Sequence, residues 1–160
     1  MSQQPWEAFK PACLLSWMQK ATFSGRFDNL AEISDFVVGA AKEAGLNSSA
    51  VYAVELAVDE ACTNIIEHAY GGEGKGDIQC CCDISKDSLT ITLRDRGRPF
   101  DPNKVPVPKS KANLKNLKSG GAGLYLMRKM MDEVRFEFTK ESGNILTLVK
   151  CKASKSCVSD

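Results

Sequence analysis

The residues best suited to do chemistry lie in one stretch, ELAVDEACTNIIEHAYGG, at positions 55–72. Its apolar spacing predicts a helix over about 49–69. Because successive helical residues turn by about 100°, Glu60 and Asn64 stand one turn apart on the same face. The same face carries Glu67 but no Lys or Arg that would relieve the like charges.

This acidic face has two interpretations. Glu is a good helix former and a solvated helix face needs no function, although Asn64 has only a mediocre propensity for a helix interior. A hard cation would explain both the unrelieved carboxylates and the asparagine. An Asn carbonyl and waters held by carboxylates are suitable oxygen ligands for Mg²⁺. The helix alone does not decide between the two.

A second candidate group follows a predicted strand, in RDRGRPFD at residues 94–101. An ionised Asp95 only accepts hydrogen bonds and could receive an exocyclic amine. Gly97 lets the backbone turn or lets a flat ligand come close. Taken alone, the stretch is more typical of an ordinary strand exit, because Asp, Gly and Pro are turn residues.

A third candidate is the glycine-rich GGAG at 120–123, which opens a predicted helix from Leu124 to about Asp132. The free N–H groups and the positive dipole end of such a helix start are suited to a phosphate. The stretch does not match the dinucleotide fingerprint, since no strand leads directly into it, and the chain has no Walker A loop. A glycine cluster by itself is weak evidence.

The elements that must position these residues alternate between helices and strands. Their pattern predicts an α+β two-layer sandwich with one mostly antiparallel, mixed sheet and helices on one face. The predicted elements besides the helices above are a strand within 20–26, an amphipathic helix from Leu30 to Ala44 ended by Gly45, a hairpin of 77–85 and 88–95 turning at Ser85-Lys86-Asp87, and strands at 133–140 and 144–151.

Composition narrows the class of protein. A chain of 160 residues with 43% apolar and 26% charged residues is typical of one globular domain. The net charge of +1 gives no reason to expect nucleic acid or an anionic membrane as partner. The seven cysteines form no C-x-x-C pair and accompany a single His. This favours a reducing, cytoplasmic location with cysteines used as small core residues.

The order of the three candidate groups resembles the Bergerat-fold (GHKL-type) ATPases: E-x-x-x-N on a helix, D-x-G-x-P-F after a strand, a long lid, then G-G-x-G-L-x-L. Within that superfamily, ELAVDEACTNIIEHAY and GGAGLYLMRKMMDEVRF are most similar to the anti-sigma factor serine/threonine kinases. The resemblance implies an ATP-binding kinase domain at 20–152 with its lid at 101–120, an N-terminal extension at 1–19 and a flexible tail at 153–160.

The resemblance also implies roles for individual residues. Glu60 corresponds to the general base, and Asn64 to the residue that holds Mg²⁺ against the triphosphate of ATP. Asp95 corresponds to the residue that receives the adenine amine, with Gly97 close to the base and Phe100 in the same nucleotide site. The phosphate loop would comprise Gly120, Gly121, Ala122, Gly123 and Leu124.

The function implied is an ATP-dependent serine/threonine protein kinase that phosphorylates a STAS-domain anti-sigma factor antagonist and regulates a sigma factor by partner switching. The family further implies a cytoplasmic homodimer without nucleic-acid or membrane contact. One alternative is a nucleotide-gated sequestering module without significant kinase activity. Another is a soluble domain whose acidic residues are merely solvated.

Two segments depart from the family pattern. The lid is rich in lysine and could close over phosphates or simply keep a loop soluble. The N-terminal segment could be an extension, an extra helix or a partner contact. The lid lysines are Lys104, Lys109, Lys111, Lys115 and Lys118.

Overall fold

The computed structural model describes residues 17–106 and 121–152. Within them, strands and helices follow one another in an α+β order. The strands are β1 (Trp17–Ser24), β2 (Asp77–Ile84), β3 (Ser88–Asp95), β4 (Glu133–Thr139) and β5 (Gly143–Cys151), and the α-helices are α1 (Leu30–Glu43), α2 (Ser48–Asn64) and α3 (Gly121–Met130).

The strands form one sheet in the order β1-β2-β3-β5-β4, and all four pairings between these described strands are antiparallel. The predicted α+β sandwich is therefore confirmed, but the described sheet is antiparallel rather than mixed. On β3, Leu89, Ile91 and Leu93 are fully buried against the helical layer, as their alternation predicts.

The central helix is α2, which packs against both α1 and α3. The Asn47 side chain accepts a hydrogen bond from the Ala50 N–H at 2.9 Å, so this residue is the N-cap of α2. Small side chains dominate the buried surface of α2, which lets the neighbouring helices come close. These buried residues are Ala50, Ala53, Val54, Ala57, Val58, Ala61 and Cys62.

The helix predicted to run to about residue 69 leaves α geometry after Asn64. Ile65–Ala69 form a π-helical segment, in which the Tyr70 N–H donates to the Ile65 carbonyl five residues back, at 2.9 Å. Because a π turn holds more residues than an α turn, the side chains that follow are rotated about the axis. Such segments are frequently found at functional sites. We call Ile65–Ala69 the π segment.

The cysteines mostly behave as predicted. Cys62, Cys80 and Cys82 are free thiols buried in the core, and strand alternation places the free thiol of Cys81 on the opposite face of β2. Burial raises the pKa of Cys62 to about 12, so it is a packing residue and not a reactive thiol. Cys151, by contrast, is disulfide-bonded.

Two elements begin clearly earlier than predicted. β1 begins at Trp17, ahead of the predicted start at 20, because its first residues pair with the far end of β2, where Trp17 lies opposite Ile84. α3 begins at Gly121 and not at Leu124. Because glycine is a poor helix former, the sequence pattern predicted a start after the last glycine, which is later than the start in the structure.

Several predicted segments lie wholly or partly outside the described residues. These are most of the N-terminal extension, most of the lid together with Gly120, and the tail. The described start of the lid forms a short 3₁₀ turn, Pro102–Lys104, capped by the Asp101 side chain. In the described part of the chain, no helix combines the length and apolar character needed to cross a membrane.

Candidate functional site

The first predicted group, on α2, meets the third, at the start of α3, where these two helices pack together. Glu60 and Asn64 are both half-buried on the last two turns of α2. A Cβ added to Gly123 would lie 3.0 Å from Glu60 Oε2 and 3.0 Å from Asn64 Nδ2. The glycine-rich start of α3 therefore lies directly against the carboxylate and the amide, and only a residue without a side chain fits between them comfortably.

The environment of Glu60 changes its acid–base behaviour. Partial burial raises the pKa of this carboxyl, and the nearby negative charges of Asp59 and Glu67 raise it further. Glu60 is therefore a better proton acceptor than an ordinary surface glutamate. This property is the one required of a general base.

Asp95 lies at the end of β3 and is buried, with 6% of its surface exposed. Its Oδ1 accepts hydrogen bonds from the Gly97 N–H and from Asn144 Nδ2, each at 2.9 Å. No other described group bonds to Oδ2, so that oxygen is free for a ligand. Burial raises the pKa of Asp95, while the bonds from Asn144 and Gly97 act in the opposite direction.

Asn144 is a residue of this site that the sequence reasoning missed. Besides Asp95, its Nδ2 donates to the Arg98 carbonyl at 2.8 Å, and its Oδ1 accepts from the Phe100 N–H at 3.1 Å. In the register between the adjacent strands β5 and β3, Asn144 lies opposite Asp95. The sequence did contain a signal for a buried Asn144. The alternation of Leu146 and Leu148 along β5 places the residue two positions earlier, Asn144, on the same buried face.

A cavity of about 150 Å³ opens beside these groups. Its lining is mostly apolar, and Phe100 contributes to the wall with its ring 4.8 Å from that of Phe136. The polar side chains that reach the lining include Asn64, Asp95 and Asn144. Such a mainly apolar cleft with a few convergent polar groups is the usual form of a small-molecule site.

The π segment forms one wall of this cavity, to which Ile65, His68 and Ala69 contribute. The Nε2 atom of His68 is buried without a hydrogen-bond partner, and the nearest carboxylate oxygen, on Glu67, is 3.7 Å away. A buried polar atom without a partner is uncommon in folded proteins. His68 thus lines the cavity while this nitrogen stays unpaired among the described residues.

The remaining predicted residues are placed differently. Gly97 does not line the cavity: a Cβ there would lie 2.5 Å from the backbone of Ala69, so its lack of a side chain serves packing against the π segment. Gly121 is buried at the start of α3, Ala122 is half-exposed and Leu124 is buried in the core. Their backbone groups, but not the Leu124 side chain, remain candidates for a ligand contact.

Within the part of the chain that the structure describes, no metal site is complete in protein atoms alone. Among the described residues, no three of His, Cys, Asp or Glu come together in a way that could hold a metal ion. Glu60 and Asn64 offer oxygen atoms at one place, as a Mg²⁺ ion shared with ligand phosphates would require. The residues present therefore fit a metal that arrives with a phosphate-bearing ligand.

Comparison with known proteins identifies the family of this chain. The family model of the histidine kinase-like ATPase domain matches residues 23–150. The serine-protein kinase RsbW of Bacillus velezensis is 33% identical over 117 residues, which is 70% of this chain and 71% of that protein. RsbW of Bacillus subtilis is 32% identical over the same shares of the two chains.

A solved structure supports the fold. The RsbU and RsbW domains of Rv1364c from Mycobacterium tuberculosis align with 90% of this chain at a TM-score of 0.59 and 17% identity. The chain spans only 35% of that longer protein, so this likeness bears on the fold alone. Together with the matches to RsbW, the family is clear: the chain belongs to the anti-sigma factor serine-protein kinases, ATP-dependent enzymes built on the histidine kinase-like ATPase domain.

Proposed function

We propose that this protein uses Mg²⁺-ATP to phosphorylate a serine or threonine of a STAS-domain anti-sigma factor antagonist. The observation that carries the proposal is the contact of Glu60 and Asn64 with Gly123, beside a cavity that contains the buried carboxylate of Asp95. One arrangement thus offers a proton acceptor, a metal ligand, a phosphate-binding helix start and an acceptor for a base amine.

The adenine is assigned to the cavity. Its apolar walls suit a flat ring, and Asp95 Oδ2 is the acceptor that an exocyclic amine requires. Asn64 lies both on the cavity wall and against Gly123. A nucleotide whose base occupies the cavity would therefore extend its phosphates past Asn64 toward the first turn of α3, where free N–H groups and the helix dipole favour negative charge.

The substitution Gly123→Ala tests this phosphate path. The added methyl group would crowd Glu60 and Asn64, so we expect ATP binding to weaken by about tenfold, or ~1.4 kcal/mol. The free energy of unfolding should not fall in proportion, because Ala is the better helix former by roughly 0.5–1 kcal/mol. Isothermal titration and thermal unfolding measure the two quantities.

The matched control is Gly39→Ala in α1, where an added Cβ meets no atom within 4 Å. This variant should gain stability and bind ATP as the wild type does. Wild-type ATP affinity in Gly123→Ala would show that the nucleotide does not pass between α2 and α3.

The proposed chemistry is a single phosphoryl transfer. Mg²⁺ held by Asn64 and the phosphates would supply charge neutralisation on the triphosphate. Glu60 takes the proton from the serine or threonine hydroxyl as the oxygen forms its bond to the γ-phosphorus. The bond between that phosphorus and the β,γ-bridging oxygen breaks, and ADP leaves with the electron pair. The raised pKa of Glu60 makes its carboxylate a stronger base for this step.

Membership of this family supports a proposal for the partners. We propose a STAS-domain antagonist as the phosphoacceptor, a sigma factor as the protein held in alternation with it, and a homodimer as the working assembly. Transfer of labelled phosphate from ATP to a STAS protein encoded beside this gene tests the first point. Transfer to a serine or threonine is expected. ATP binding without transfer would instead favour a nucleotide-gated sequestering module.

A thermal melt with Mg²⁺-ATP is the simplest first measurement. A ligand at 100 times its dissociation constant should add about 2.7 kcal/mol to the free energy of unfolding. GTP at the same concentration is the control for base selectivity. An unchanged melt with ATP would leave the acidic helix face as a solvated surface and remove the basis of the proposal.

A further inference from the structure

Tyr70 follows the π segment directly and is connected to the turn that carries Asp95. Its phenol oxygen accepts a hydrogen bond from the Arg96 N–H at 3.0 Å and donates one to the Asp77 carbonyl at 2.6 Å. The first residue after Asp95 is thus bonded to the phenol, and the phenol is bonded to the first residue of β2. None of the roles assigned above uses this side chain.

The backbone of the turn is held at three consecutive N–H groups. Arg96 donates to Tyr70 Oη, Gly97 donates to Asp95 Oδ1, and Arg98 donates to the Ala69 carbonyl at 2.8 Å. Two of the three acceptors, on Ala69 and Tyr70, lie at the end of the helix that carries Asn64. The third is the carboxylate itself.

The ring of Tyr70 has a separate role from its hydroxyl. A Cβ added to Gly76 would lie 2.3 Å from the ring, and one added to Gly25 would lie 3.5 Å from it. The ring therefore fills a space that two glycines leave open, which is a packing function. The hydroxyl alone reaches the main chain beside Asp95, so the two roles can be separated by removing one atom.

We propose that the Tyr70 hydroxyl is a positioning group for base recognition: by fixing the peptide that follows Asp95, it aims the Asp95 carboxylate at the exocyclic amine of the nucleotide. This inference rests on the proposed function, because it takes Asp95 as the acceptor of that amine. Asn144 holds the same carboxylate from the sheet side, and Tyr70 holds its backbone from the helix side. Base recognition is thereby linked to the helix that presents Asn64.

The test is Tyr70→Phe, which retains the ring and removes only the hydroxyl. The dissociation constants of ATP and of purine riboside triphosphate, which lacks the amine, are compared in the wild type and the variant. We expect the wild type to prefer ATP by about tenfold or more, as for a hydrogen bond to a charged group. In Tyr70→Phe this preference should shrink severalfold, while affinity for the analogue stays nearly unchanged.

Tyr52→Phe is the matched control, since Tyr52 lies on α2 with 61% of its surface exposed. It should leave both dissociation constants unchanged. A purely structural role of the Tyr70 hydroxyl would weaken both nucleotides equally and keep their ratio, and that result would overturn the inference. A wild type with no preference for ATP would instead contradict the assignment of Asp95, so the two failures are distinguishable.

A second variant covers the case in which Tyr70→Phe does not fold. Tyr70→para-aminophenylalanine keeps the ring and the bond donated to Asp77, but its amine is a poor acceptor for the Arg96 N–H. The same loss of preference for ATP is expected. An unchanged preference in this variant would also overturn the inference, whatever its thermal stability.

Discussion

Glu60→Gln should reduce phosphate transfer by about 10²- to 10⁴-fold while leaving the affinity for ATP near its wild-type value. This range is typical for the loss of a general base. Gln has nearly the shape of Glu, so the packing against Gly123 is retained, and the residues proposed to hold the nucleotide, Asn64 and Asp95, are unchanged. The measurements are single-turnover transfer to the protein substrate and equilibrium titration with ATP.

The dependence of this reaction on pH provides a second readout. The carboxyl group of Glu60 can accept a proton only in its deprotonated form. Burial, together with the charges of Asp59 and Glu67, raises its pKa above the ordinary value. Transfer by the wild type should therefore fall as the pH drops through that raised pKa, above the range where an ordinary glutamate is protonated. In Glu60→Gln the remaining activity should show no such acid limb.

Glu67→Gln is the matched control for charge. It also removes one glutamate charge from the same helical region, but Glu67 is exposed, and the side-chain atoms nearest to Gly123 belong to Glu60 and Asn64. It should lower the pKa of Glu60 slightly and leave transfer at neutral pH almost unchanged. If Glu60→Gln retained full activity, or if Glu67→Gln lost as much, the assignment of the base would be wrong.

The fold could be predicted well where one physical pattern dominates. The alternation of Leu89, Ile91 and Leu93 placed β3 correctly, and the left-handed backbone of Gly45, with φ of 81°, ends α1 where the sequence indicated. Each of these features depends on residues close together in the chain.

The features that were missed depend on contacts between distant segments. The π segment forms where Ala69 meets Gly97 and accepts the Arg98 N–H, and no local pattern in residues 65–69 reveals that contact. The role of Asn144 likewise depends on its register opposite Asp95. The close approach of Gly97 to Ala69 also depends on distant segments, and it could not be predicted from the residues around Gly97.

The site shows the same division between local and distant information. The spacing of Glu60 and Asn64 on one helix made their proximity predictable, and the structure adds that Gly123 approaches both. The convergence of Asp95 with Asn144, by contrast, needed the strand order, in which β5 lies between β3 and β4. A sequence motif can therefore identify the residues of such a site, but it does not identify the distant residues that hold them in position.

Asp95→Asn should weaken ATP binding by roughly tenfold to 150-fold, as expected for a charge-assisted hydrogen bond of about 1.5–3 kcal/mol. In the variant, the amide oxygen can still accept from Asn144 and the Gly97 N–H, because both bonds go to Oδ1. The second position then carries an NH₂ group in place of Oδ2. A donor would face the donor amine of adenine, so attraction is replaced by repulsion, and titration with ATP measures the loss.

Asp95→Asn should leave the free energy of unfolding nearly unchanged. A loss of ATP affinity in this variant would therefore not be caused by a loss of folded protein. Burial raises the pKa of Asp95, so the charged form is disfavoured in the folded protein, and an uncharged isostere should not lower the free energy of unfolding at neutral pH. Asp83→Asn, on the opposite face of β2 from the helices, is the control and should leave ATP affinity unchanged. Wild-type ATP affinity in Asp95→Asn would place the base elsewhere, and a selective loss for ATP over purine riboside triphosphate would place the amine at Asp95.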